Sequence, residues 1–406
     1  MPPQTIYFDN NATTPVDPRV VEAMAECYRR WPGNPASQHT AGRSARRVLE
    51  EARDEIAGLL GATLSGPQPD RLVFTSGATE ANNLAVRGIV GRMPGDGPRH
   101  LIVSAIEHPS VSSLADQIVV EGFAVSKLPV DGQGVIVLDQ LAPLLTPHTR
   151  LACIMLGSNE TGALQPVAEA AAICREAGVP LHCDAVQVAG KLPIDFAALG
   201  AATLSISAHK FHGPRGIGAL LVRGSTPLAP MLFGGFQQAG LRPGSEPVAL
   251  AVGMAKALRL WHEEADARAR NMTMLRDQFE ALLSTGSPEI IVHSQHAARL
   301  PHTSHIAFPG LDRQALLMAL DLAGVACSAG SSCASGSSEL SATLLAMGVS
   351  EALAGSSLRF SLSAFTTAEE VHEGARRILK VCNDLRTARE HRNSPLPPPP
   401  KAANSV

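Results

Sequence analysis

Along most of the chain, apolar runs of strand length alternate with longer stretches of helical period. The strand-like runs are Arg71–Phe74, His100–Val103, Arg150–Leu156, Val179–Cys183, Thr203–Ser207 and Gly218–Val222. Between them lie the helix-like segments Ser44–Leu60, Thr79–Ile89 and Pro166–Ala177. Strands that alternate with helices predict an α/β domain with a mostly parallel central sheet covered by helices on both faces. The segments that carry chemistry fall just past the C-terminal ends of these strands, where such sheets place ligands.

After Gly253 the pattern changes to a long charged helix through about Leu283, then to a smaller set of strands and helices ending near Leu385. The expected division is a large domain over 15–260, a small α+β domain built from 1–14 and 261–388, and a tail over 389–406. The tail contains Pro395-Leu396-Pro397-Pro398-Pro399-Pro400, a composition that cannot pack or donate backbone hydrogen bonds well and predicts disorder. There is no internal repeat. At 406 residues, with 45% apolar and 17% charged side chains, the chain can bury an ample core in two domains.

The formal net charge is -3 with neither sign gathered into blocks, which argues against a nucleic-acid partner. The start, Met1-Pro2-Pro3-Gln4-Thr5, has no charged segment followed by an apolar one, and no run approaches the roughly 18 apolar residues of a membrane span. A cytoplasmic protein is therefore expected. The seven cysteines, at 27, 153, 174, 183, 327, 333 and 382, form no Cys-x-x-Cys pair and have no His-rich spacing. They read as neither a disulfide framework nor a zinc site, so no metal is expected and most should be small buried apolar residues.

The chemistry centres on Ser205-Ile206-Ser207-Ala208-His209-Lys210-Phe211-His212-Gly213, where a small-residue strand enters a glycine-containing turn. Lys210 is either a solvated lysine at a strand end or an amine that loses solvation and becomes a nucleophile toward an aldehyde. The second reading implies a pyridoxal phosphate Schiff base. Thr75-Ser76-Gly77-Ala78-Thr79-Glu80 carries a strand into a helix through small residues. Its free N–H groups and the Thr79 hydroxyl suit a phosphate, although an ordinary N-cap reads the same way.

Asp184, at the end of the run from Val179, could keep a pyridine nitrogen protonated with Gln187 reaching the ring hydroxyl, or could be a turn residue. His108, in Glu107-His108-Pro109-Ser110-Val111, is placed to stack on a ring and shuttle protons, or to stand on the surface before a helix. Ser207 and His209, flanking the lysine, can complete a phosphate site.

Taken together, these segments resemble the cysteine desulfurases, pyridoxal phosphate enzymes of the aminotransferase-like fold. The resemblance runs from about Tyr7 to Thr367. It includes Phe8-Asp9-Asn10-Asn11-Ala12-Thr13-Thr14-Pro15, Gly33-Asn34-Pro35-Ala36-Ser37, Asn159-Glu160-Thr161-Gly162, Asp184-Ala185-Val186-Gln187 and Ser207-Ala208-His209-Lys210.

The resemblance implies Lys210 as the Schiff-base lysine, Asp184 on the pyridine nitrogen, Gln187 and Asn159 near the ring hydroxyl, and His108 above the ring. It implies Ala78, Thr79, Ser207 and His209 around the phosphate, with Ser245 reaching the phosphate of the other subunit of a homodimer. Asn34, Asn159 and Arg359 are implied at the substrate, Arg359 gripping its α-carboxylate. Cys333, after Ala329-Gly330-Ser331-Ser332, resembles the family's persulfide-forming cysteine, and its spacing to Gly348 resembles the longer-loop class. Cys327 is given no catalytic role.

The implied reaction turns L-cysteine into L-alanine and passes sulfur to an acceptor protein, for iron–sulfur clusters, thio-cofactors or tRNA thiolation. A selenocysteine lyase and an aminotransferase are the competing readings. Three positions depart from the family pattern: Pro247 stands where Asn is expected, Ser158 where a second Asn is common, and Ser363-Ala364-Phe365 where Gly-Arg is usual.

Overall fold

The computed structural model describes residues 5–91, 99–330 and 339–393. In chain order its strands are β1 (Ile6–Tyr7), β2 (Arg71–Thr75), β3 (His100–Ser104), β4 (Ala124–Leu128), β5 (Thr149–Met155), β6 (Leu181–Asp184), β7 (Thr203–Ser207), β8 (Gly218–Val222), β9 (Ile291–Val292), β10 (Thr303–Ala307), β11 (Val325–Ala326) and β12 (Ser357–Ser361). A seven-stranded sheet has the order β2-β8-β7-β6-β5-β3-β4. Only β8 runs against its neighbours; the remaining pairings are parallel.

Side chains alternate across this sheet. Leu72, Phe74, Ile102, Ala152 and Ile206 join one apolar cluster, whereas Val73, Leu101, Val103, Cys153 and Leu220 join a second. Since successive strand residues point to opposite faces, two apolar clusters require helices on both sides, and this is why the strands read as continuous apolar runs. The strand β4 escaped the sequence reading. It is the sheet edge, its Ala124, Val125, Ser126 and Lys127 are only partly buried or exposed, and it carries no unbroken apolar run.

A third cluster, holding Phe8, Phe279, Phe308, Phe360 and Val371, packs around the antiparallel sheet β12-β10-β9 and the short parallel pair β1-β11. The helix Val248–Gly286 is continuous over 39 residues. It contributes Met254, Leu258 and Trp261 to the first cluster and Leu275, Phe279 and Leu283 to the third. Five cysteines (27, 153, 174, 183 and 382) are buried and Cys327 is half-buried. Cys333, Ser331 and Ser332 lie outside the described residues, as does the proline-rich 394–406.

Candidate active site

Five strand ends deliver the site. β2 ends at Thr75, before the turn to Gly77 and the helix Ala78–Val90; β3 ends at Ser104, ahead of His108. Asn159 follows β5, Asp184 closes β6, and Lys210 follows β7. Their side chains, which the chain order scatters, surround one cavity of about 730 Å³. Ala78, Thr79, Gln187, Ser207, His209 and Arg359 share it. Asn34 and Ser245 do not: both are exposed, and the Asn34 side chain accepts from the Ala36 N–H at 2.9 Å.

The helix Ala78–Val90 begins at Gly77 with no side-chain cap. Its first N–H groups, at the positive end of the helix dipole, face the cavity that an anion can fill. The approach of this turn to the sheet demands glycine at the start of β8, because a Cβ on Gly218 would stand 2.7 Å from the Gly77 carbonyl carbon. Glu80 fixes the turn from behind: it accepts from the Ser76 N–H at 2.7 Å and pairs with Arg242 at 2.9 Å.

Lys210 donates to the Asn11 carbonyl at 2.5 Å and the Ala12 carbonyl at 3.0 Å. Asn11 is therefore part of the site. Its carbonyl also accepts from Gln187 Nε2 at 3.1 Å, and its side-chain oxygen meets His302 Nε2 at 2.7 Å. Gln187 Oε1, by contrast, is buried on a side chain that lines the cavity and has no hydrogen-bond partner among the described residues. A ring hydroxyl would satisfy it.

Asp184 is buried; one carboxylate oxygen accepts from the Val186 N–H at 3.0 Å and the other from Asn82 at 2.7 Å. His108 caps the helix Pro109–Val120 through its Nδ1, which accepts from the Ser110 N–H at 3.1 Å. Burial lowers the His108 pKa, and Lys210 and Arg359 reinforce that effect while Asp184 opposes it. His209 is pushed to about 4 by burial and by the cations Lys210, Lys191 and Arg215. An uncharged imidazole in that position donates or accepts a single hydrogen bond without adding charge.

Arg359 is fully buried and pairs with Asp9 at 2.9 Å, while its other terminal nitrogen donates to the Asn159 carbonyl at 2.9 Å. Asp9 and Arg215, which also lines the cavity, were not singled out in the sequence. The signal for Arg215 was present, a cation five residues after the lysine in the same turn. The Asp9–Arg359 pair spans 350 positions and leaves no local trace. The family departure at Ser158 is structurally absorbed: its hydroxyl accepts from the N–H groups of Glu160 and Thr161, each at 3.2 Å.

Comparison with known proteins agrees with this geometry. The family model Aminotransferase class-V matches residues 6–373. A cysteine desulfurase from Trichormus azollae is 39% identical over 380 residues, covering 94% of this chain and 92% of its own. Cysteine desulfurase NifS of Azotobacter vinelandii is 37% identical over 399 residues, covering 98% of each. The solved structure of a NifS-like protein, 34% identical, superposes with a TM-score of 0.87 over 94% of this chain and all of that one.

The chain belongs to the class-V aminotransferase family and, within it, to the cysteine desulfurases. These are pyridoxal phosphate enzymes. The residues present fit that cofactor: an uncapped helix start for its phosphate, a buried carboxylate for its ring nitrogen, an unpaired amide oxygen for its hydroxyl and an amine for its aldehyde.

Proposed function

We propose that this enzyme converts L-cysteine to L-alanine and passes the sulfur, as a persulfide on Cys333, to an acceptor protein. The observation that carries the reading is the convergence of Lys210, Asp184, His108 and Arg359 on one cavity. Bound pyridoxal phosphate supplies an electron sink for charge that develops at the substrate Cα. Thr79, Ser207, His209 and the N–H of Ala78 would hold its phosphate, Asp184 would pair with its ring nitrogen, Gln187 and Asn159 would meet its hydroxyl, and His108 would lie against its ring.

Arg359 would orient the substrate carboxylate, whereas Asn34, which stands outside the cavity in the single chain, is assigned to the substrate by resemblance alone. Lys210 Nζ moves the proton at Cα. The Cys333 thiolate attacks the substrate sulfur: an S–S bond forms, the Cβ–S bond breaks, and the electron pair passes to Cβ, which takes up a proton to become the alanine methyl. A thiol and L-cysteine thus give a persulfide and L-alanine with no external oxidant.

The working unit in this reading is a homodimer in which the exposed Ser245 reaches the partner's phosphate site, and the chain divides near residue 260 into a large cofactor-binding unit and a small one that carries Cys333. Iron–sulfur scaffolds and carriers for tRNA or cofactor thiolation are the acceptors of suitable chemistry. Among the described residues no helix is long and apolar enough to cross a membrane. Substitution of Cys333 by Ser tests the assignment. It should abolish persulfide formation while the visible absorbance of the bound cofactor stays; sulfur release at the wild-type rate would overturn it.

A further inference from the structure

Asn82 is a fully buried amide beside the cavity whose polar atoms reach Asp184, Ser110 and His182. It sits in the second turn of the helix Ala78–Val90, is 0% exposed, and does not line the cavity itself. Its Nδ2 lies 2.7 Å from Asp184 Oδ2 and 2.8 Å from Ser110 Oγ. Its Oδ1 lies 3.0 Å from His182 Nε2, and His182 Nδ1 lies 2.9 Å from Thr203 Oγ1.

The proton positions in this cluster follow from one constraint. An ionised carboxylate only accepts, so Asn82 must present its amino group to Asp184. Its oxygen then accepts from His182, which fixes the proton on His182 Nε2 and makes Nδ1 the acceptor of the Thr203 hydroxyl. His182 stays neutral in this arrangement, because burial pushes it to about 4. From Thr203 through His182 and Asn82, every hydrogen bond points its donor toward Asp184, and successive bonds of that kind polarise one another.

The second amino hydrogen of Asn82 goes to Ser110. The Ser110 hydroxyl, 2.8 Å from His108 Nδ1, then donates to that nitrogen, which also accepts the Ser110 N–H. His108 Nδ1 is filled on both counts, and the imidazole carries its proton on Nε2. The charged groups that act on His108 are Asp184, Lys210 and Arg359. Glu107, the neighbouring buried carboxyl, feels Asp184 as well.

We infer that Asn82 is a positioning residue that couples the two groups on the cofactor ring, holding the Asp184 carboxylate toward the ring nitrogen and, through Ser110, fixing the tautomer of His108. The inference rests on the proposed placement of Asp184 and His108 at the ring. It assigns a role to a side chain that touches neither cofactor nor substrate. Removing the Asn82 donor takes away the one hydrogen bond on Asp184 Oδ2 and leaves only the Val186 N–H on Oδ1, so the carboxylate is held less firmly toward the ring nitrogen and the ring withdraws less charge.

The test titrates the visible absorbance of the protein loaded with pyridoxal phosphate in wild type, Asn82→Leu and Ser110→Ala, with cofactor dissociation measured alongside. In Asn82→Leu the titration midpoint should rise by at least about half a pH unit, and cofactor binding should weaken about tenfold. Ser110→Ala keeps the contact to Asp184, so its midpoint should move by less and its cofactor affinity should stay within about twofold of wild type. An unchanged or lowered midpoint in Asn82→Leu overturns the inference, and should that variant not fold, an unchanged Ser110→Ala midpoint overturns it. A wild-type chain that shows no cofactor absorbance at all would sink the functional reading and this inference with it. A wild type that titrates while both variants track it would sink the inference alone.

Discussion

Burial sets the charge state of individual side chains around Lys210. Lys191, 4% exposed and with no hydrogen-bond partner on its amine, is pushed down to about 7 by burial, with Lys210 adding to the effect. Lys210 itself donates to the backbone carbonyls of Asn11 and Ala12, which fixes the position of its Nζ. Lys210→Ala should lower the rate of alanine formation by about 10²–10⁴-fold, the range for losing a positioned proton carrier, as read by alanine release under saturating cysteine.

Glu107 is the converse case. One oxygen accepts from Ser104 and from the Met155 N–H, the other has no partner, and burial raises the group from 4.5 to about 8. The folded protein therefore retains a proton that the unfolded chain releases. The stability this group contributes is complete below the unfolded value of 4.5 and is lost as pH rises toward about 8. Glu107→Gln removes that dependence. The difference in melting temperature, variant minus wild type, should increase steadily across this pH range, and a flat difference would contradict the assigned protonation.

Among the elements, the strands were the most legible part of the sequence. β7 and β8 coincide with the runs read from it, and the helix Ala78–Val90 with Thr79–Ile89 to within a residue. Both follow from a physical signal that is local, an unbroken apolar run or a helical period. What stayed hidden depends on contacts far apart in the chain. β1, β9 and β11 are two residues each and exist only because a partner strand is already in place. The Asp9–Arg359 pair and the Asn82 cluster likewise join residues that no periodicity connects.

Glu160 shows how such a contact works on an element. Its buried carboxylate accepts from Ser341 at 2.6 Å and Thr343 at 3.0 Å, at the start of the helix Ala342–Ala346. On the other side Gly330, at φ +87°, approaches so closely that a Cβ would meet Glu160 Oε2 at 2.8 Å. One side chain thereby holds the start of the helix Ala342–Ala346 and lies against Gly330. Glu160→Ala removes the acceptor of two buried hydroxyl hydrogens, although Ser341 keeps the Leu344 N–H at 3.0 Å, so a loss of about 1–3 kcal/mol is expected in denaturant unfolding. Sulfur release should fall further than cofactor binding, measured on the same preparation.

Arg359 belongs to β12, and its truncation to Ala would strand Asp9 beside the cavity. Asp9 is 21% exposed, so the loss of stability should stay below the roughly 3 kcal/mol of a fully buried pair, while the Michaelis constant for cysteine should rise sharply because the carboxylate loses its bidentate partner.

At the scale of the whole molecule, a sheet buried on both faces fixes five strand ends along one edge, with the antiparallel β8 between β2 and β7, and the long helix Val248–Gly286 ties that platform to the cluster around β10 and β12. Asp184 and Ser207 close their strands, and His108 and Lys210 follow closely on theirs. Ser245 and Asn34 were legible only through resemblance, and in a single chain they stand apart from the cavity. The proposed dimer accounts for Ser245: light scattering should return about twice the 42.5 kDa of the chain, and Ser245→Ala should weaken cofactor binding without changing that mass.

The central claim is that the sulfur leaves cysteine onto Cys333. The most direct measurement is intact-protein and peptide mass spectrometry after one turnover of the cofactor-loaded chain with L-cysteine and no acceptor, with alanine quantified in the same tube. The account predicts one added sulfur atom on the peptide containing Cys333 and an equal amount of alanine. Alanine formed with no sulfur on that peptide, or sulfur located on another cysteine, would contradict it.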